Sequence, residues 1–144
     1  MTIRASFVAA MLTAGLLSFA AQAEMVHYMA HLDGASEVPP KTTQGTGTLS
    51  ATLDTATREF SYTLEYSGLS GPASAAHFHG PAAPGANAGV AMPIPNAGSS
   101  PVKGSAKLTA AQMADLEAGK WYVNVHTKAN PGGEIRGQVM KGGM

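Results

Sequence analysis

The stretch EFSYTLEY, residues 59–66, decides the class of fold. Phe60, Tyr62, Leu64 and Tyr66 share one parity, and Glu59, Ser61, Thr63 and Glu65 the other. Successive strand side chains point to opposite faces, so this alternation predicts a strand with one buried and one wet face. Just upstream, Leu49, Ala51 and Leu53 alternate with Thr48, Ser50 and Thr52. Only the short polar segment 54–57 separates the two runs, which predicts a hairpin. Further upstream, Tyr28, Ala30 and Leu32 alternate with His27, Met29 and His31. Downstream, a strand is expected over 74–79. Trp121, Val123 and Val125 then alternate with Tyr122, Asn124 and His126. Ile135 and Val139 share a last strand that carries Glu134, Arg136 and Gln138 on its other face.

One helix interrupts this pattern. Thr109 is placed as an N-cap, and Gln112 three residues on completes a capping box. Met113 and Leu116 make a short apolar stripe, and Gly119 suits the position just past the helix end. Residues 81–101, rich in Pro, Gly, Ala and Asn, read as a long loop or a pair of irregular edge strands. Short strands with frequent turns predict a sandwich or barrel.

The chain has 144 residues, no cysteine, and nine basic against nine acidic residues. Arg4 precedes an apolar run from Ala5 to Ala20, and Ala21-Gln22-Ala23 has the small-x-small form of a cleavage site. Residues 1–23 are therefore expected to be a cleaved secretory signal peptide, and 24–144 the mature, single domain. The run is about 16 residues, shorter than the ~20 a spanning helix needs, and no second apolar segment is long enough to span. The expected location is periplasmic or secreted. Balanced charge without a basic run argues against nucleic acid. Without cysteine there is no disulfide, no zinc–thiolate site and no thiol nucleophile. A bound metal would have to use His, Met, carboxylate or backbone ligands.

Several separated motifs occur in one order: EVPP at 37–40, AHFHGPA at 76–82, and AGKWYVNVHT with NPGGEIRGQ within 118–138. Together they closely resemble the CHRD domain, a domain named from chordin and also found alone in exported bacterial proteins. The resemblance runs from about Tyr28 to Val139. It implies an all-β, immunoglobulin-like or dismutase-like Greek-key β-sandwich with one short helix. It implies little about activity, and a single copy gives no ground for a developmental role.

His77, His79 and His126 are the strongest candidates for chemistry. The first two are two apart, hence on one strand face, and the third lies on a strand expected to be adjacent. Three neutral imidazoles suit copper, with zinc as the alternative. The competing reading is structural: the rings bond loop carbonyls and cap the sheet end, with Pro81 and Pro131 shaping the turns that follow. No organic cofactor is indicated, and no protein partner can be named.

The other groups read more plainly. Met25, His27, Met29 and His31 share a face of the first strand, and the ordinary account is a solvent-facing edge. Glu134 and Arg136 read as a cross-strand ion pair, or Arg136 as a donor to loop carbonyls. Gly132 and Gly133 serve a turn, with no phosphate-loop Lys following. Glu37-Val38-Pro39-Pro40 reads as structural, and Ser99 and Ser100 lack a His–Asp pair. The expected function is metal binding without strong catalysis. A dismutase-like copper enzyme and a metal-free interaction module are the alternatives.

Overall fold

The computed structural model describes residues 15–18 and 22–142. Most of the expected signal peptide lies outside them. Leu16 and Leu17, which are described, are exposed and add nothing to the core.

Eight strands and one helix follow in the order β1 (Met25–Asp33), β2 (Thr46–Asp54), β3 (Glu59–Ser67), β4 (Ala73–His79), β5 (Val90–Pro93), β6 (Val102–Lys107), α1 (Ala110–Glu117), β7 (Trp121–Thr127) and β8 (Ile135–Lys141). They form one antiparallel sheet in the order β5-β4-β7-β8-β1-β2-β3-β6. The pairs β4·β7, β3·β6 and β1·β8 join strands distant in sequence, as Greek-key connections do. The sheet curls until its two halves face each other. Phe60 of β3 meets Phe78 of β4 edge-on at 5.4 Å and Trp121 of β7 at 5.9 Å. The domain is the all-β fold that the alternation predicts.

The alternating apolar residues build this core. Tyr28, Leu32, Leu49, Leu53, Phe60, Leu64, Phe78, Trp121, Val123, Val125, Ile135 and Val139 are all buried. Each such side chain taken from water contributes about 1.5–3 kcal/mol. The β2–β3 hairpin turns where expected. The Asp54 carboxylate accepts the backbone N–H of Ala56 and of Thr57, and Arg58 takes a positive φ of 62°. The helix has its capping box: Gln112 N–H donates to Thr109 Oγ1, and Thr109 N–H to Gln112 Oε1. Gly119 follows with φ 72°, as a helix-ending glycine should.

β6 was not legible, and β5 lies within 81–101, the segment read as a long loop or a pair of irregular edge strands. β6 shows one clearly buried apolar side chain, Val102, because Gly104 lies under the Tyr62 ring and leaves no room for a Cβ. β5 is four residues long and ends in Pro93. The expectation for β7 also needs correction. All seven of its residues are buried, so both faces are covered and not only the Trp121 face. Segments 35–40, 80–89 and 127–133 lie over the outer side. Among the described residues, no helix is long and apolar enough to cross a membrane.

Candidate metal centre

The outer face of β4 and β7 brings the three predicted histidines together. In the β4–β7 register Ala75 pairs with His126, His77 with Asn124 and His79 with Tyr122. His77, His79 and His126 therefore share a face, and each offers a ring nitrogen within 4.8 Å of the others. Among the described residues, no carboxylate joins this cluster.

The tightest contact is between His77 Nδ1 and His126 Nε2, at 3.0 Å. The other nitrogen of His126, Nδ1, lies 2.9 Å from the carbonyl oxygen of Pro131. A carbonyl only accepts, so Nδ1 carries the proton and Nε2 presents a lone pair toward His77. Two nitrogens at ~2.0–2.1 Å from one cation, 90–110° apart, are separated by about 2.9–3.4 Å. The observed spacing fits a shared proton and a shared cation equally well. His126 is only 8% exposed, which leaves His77 as the more accessible ring. Burial, followed by the neighbouring His126 and His79, holds the His77 ring below the ordinary imidazole pKa. His77 is thus biased toward the neutral form a cation needs.

His79 is more constrained. Its Nδ1 lies 3.0 Å from the Ala88 carbonyl oxygen, and its Nε2 lies 2.9 Å from Asn124 Oδ1. Its ring stacks on Tyr122 at 4.7 Å and 4°. Burial is the largest influence on its pKa and carries it downward against the bonds from Ala88 and Asn124. Both ring nitrogens therefore face acceptor oxygens, and a neutral ring can donate to only one of them at a time. The other end of the same amide, Asn124 Nδ2, donates to Glu37 Oε1 at 3.4 Å. Burial raises the pKa of the Glu37 carboxyl, against the bond from Asn124 and the charges of Arg136 and Lys41. Glu37 and Asn124 thus belong to the centre, although the EVPP motif carried no chemical signal for Glu37. Asn124 had one: it shares parity with His126 on β7.

Arg136 and Glu134 buttress the surroundings separately, and do not pair with each other. Arg136 is buried. Its Cζ sits 3.5 Å above the Tyr122 ring, and its guanidinium donates to Asn87 Oδ1 and the Ala86 carbonyl. This is the donation to loop carbonyls expected of it. His79, Tyr122 and Arg136 therefore stack in series and pin segment 80–89. Glu134 precedes β8 and is fully buried. Its carboxylate accepts from Thr43, Thr127, Asn130, and both the hydroxyl and the N–H of Ser70. Burial alone would raise its pKa. The bonds from Ser70, Thr127 and Thr43 outweigh that and hold it at about 2. Through Thr127 and Asn130 it fixes the turn that carries Pro131.

A CHRD domain model matches residues 28–139, most of the chain. The protein belongs to the CHRD domain family, whose domains occur in extracellular proteins and suggest an extracellular binding module. Comparisons with curated proteins and with solved structures gave no significant match.

Proposed function

We propose that this is an exported binding protein that captures Cu(II), with Zn(II) as the alternative, at His77, His79 and His126. The observation that carries the reading is the 3.0 Å approach of His77 Nδ1 to His126 Nε2, with the Pro131 carbonyl fixing the His126 tautomer. An N–H to backbone carbonyl bond on the far side of a ligating ring is the usual outer-shell support of a metal-bound histidine. His77 and His126 act as the primary chelate. His79 joins by exchanging its Asn124 bond for the cation. The signal-like leader and the absence of thiols favour an oxidised, imidazole-bound metal outside the cytoplasm. The cluster has no acid–base partner of its own, because Glu37 reaches it only through Asn124. Capture and release therefore describe its chemistry better than turnover.

The test is copper titration of protein purified without a polyhistidine tag, followed by electron paramagnetic resonance. The expected result is one Cu(II) with nitrogen hyperfine structure. Affinity should fall at least about tenfold in His126→Ala and in His77→Ala, and further as pH drops below ~6.5. Wild-type affinity in the triple variant His77→Ala, His79→Ala, His126→Ala would sink the reading. Superoxide consumption far above the free-metal rate would replace it with a dismutase-like enzyme.

A further inference from the structure

The exposed methionines mark a second place for a metal. Among the described residues outside the leader, the large apolar side chains left exposed are Met25, Met29, Met140 and Val90. Three of the four are thioethers on two adjoining strands. The sequence could not place Met140. The register of β1 and β8 sets it directly opposite Met29. Directly opposed residues share a face, with Cβ atoms about 4.5–5.5 Å apart. His27 lies two residues before Met29 on the same exposed face. Its backbone carbonyl accepts the Gly142 N–H, so a residue without a side chain stands beside it. On the other flank, β2 offers only Thr52 beside His27 and Ser50 beside Met29.

The thioethers are uncovered. Met29 Sδ lies 2.9 Å from where a Cβ on Gly142 would stand, and Met140 Sδ lies 3.5 Å from the same point on Gly119. Both sulfurs rest over glycine backbone instead of filling a cavity. Methionine has three rotatable bonds, and at these exposed positions little opposes their turning. Both can swing to one ion above the β1–β8 seam. Thioether and imidazole together select soft monovalent cations over zinc, magnesium or calcium.

We propose that Met29 and Met140, with His27 as third ligand, form a surface site for a soft monovalent cation of the Cu(I)/Ag(I) class. The site is separate from the histidine centre. Asn124 of β7 pairs with Arg136 of β8, which brings His126 level with Glu134, and Met140 lies six residues further on. At ~3.4 Å per residue His126 lies about 20 Å along the strands from Met140, and His79, level with Gln138 through Tyr122, lies about 12 Å away across two strand spacings. The proposal therefore stands whether or not His77, His79 and His126 bind copper.

Silver(I) is the probe, because it is soft and does not change oxidation state under these conditions. Protein labelled with 13C at the methionine methyls is titrated with silver nitrate and followed by NMR. The methyl resonances of Met29 and Met140 should shift together and saturate at one shared stoichiometry, while that of buried Met92 stays in place. Met29→Leu and Met140→Leu should each weaken Ag(I) at this site about tenfold or more without changing the melting temperature. Loss of His27 in His27→Ala should weaken it by a smaller factor. The site-resolved shifts distinguish this seam from silver held at His77 or His126. Methyls of Met29 and Met140 that do not move, a shift of only one of them, or wild-type silver affinity in the double Leu variant would each overturn the proposal.

Discussion

Gly133 shows how closely the backbone approaches the centre. Its φ is 124°, and a Cβ there would run into Glu37 Oε1 and stand 2.7 Å from Asn124 Nδ2. Gly132, its neighbour, has nothing within 4 Å of the same point. The two glycines look alike in sequence but carry different constraints. Gly133→Ala is expected to cost about 1–3 kcal/mol in urea denaturation through backbone strain alone. It should also weaken Cu(II), because Asn124 loses its place beside His79. Gly132→Ala should change neither quantity. Equal effects from the two substitutions would show that Glu37 and Asn124 do not pack against this turn. The residue scale is also where the sequence reading ran thin. His77, His79 and His126 were legible because same-face spacing is a property of the strand itself. Glu37 was not, because its role comes from a loop folding back over a distant strand.

At the scale of elements, the regular pieces were legible in proportion to how one-sided they are. β2 and β3 have one face in the core and one in water, so their alternation is clean. α1 was found through its cap, since its eight residues bury only Leu116. β6 was missed because an edge strand packed through Gly104 lacks an apolar period. The value of the helix cap can be measured. Thr109→Ala removes the acceptor for the Gln112 N–H and should destabilise by about 1 kcal/mol. Gln112 also donates to the Ala91 carbonyl of β5, so the cap ties the helix to that edge strand. Amide hydrogen exchange in Thr109→Ala should therefore rise in both α1 and β5. Faster exchange confined to α1 would show that the tie is not formed in solution.

For the whole molecule, buried ionisable groups set how stability depends on pH. His77 and His79 have folded pKa values below the ordinary ~6.5. The unfolded chain binds protons first as pH falls, so their contribution is complete above ~6.5 and is lost as pH drops toward the folded values. Glu134 behaves likewise at lower pH: its contribution is full above an unfolded value of ~4.3 and disappears as pH falls to about 2. Glu37 has the opposite sign. Its raised pKa gives stability below ~4.3 that is lost as pH rises through the folded value. Urea midpoints measured from pH 8 to pH 2 should fall in two stages, one beginning near ~6.5 and one below ~4.3. A profile flat between pH 6.5 and 5 would mean that water reaches His77 and His79 freely.

The seam between β1 and β8 also bears on the order of synthesis. β8 is the last strand made, yet it sits mid-sheet and alone joins the β5-β4-β7 half to the β1-β2-β3-β6 half. A nascent polypeptide that has not yet reached Ile135 holds two half-sheets with no strand between them. One that stops short of Glu134 also lacks the carboxylate that gathers three separate turns. Such a chain cannot close its core early, however long the ribosome pauses. A copy cut short before β8 leaves the two half-sheets unjoined and open to proteolysis.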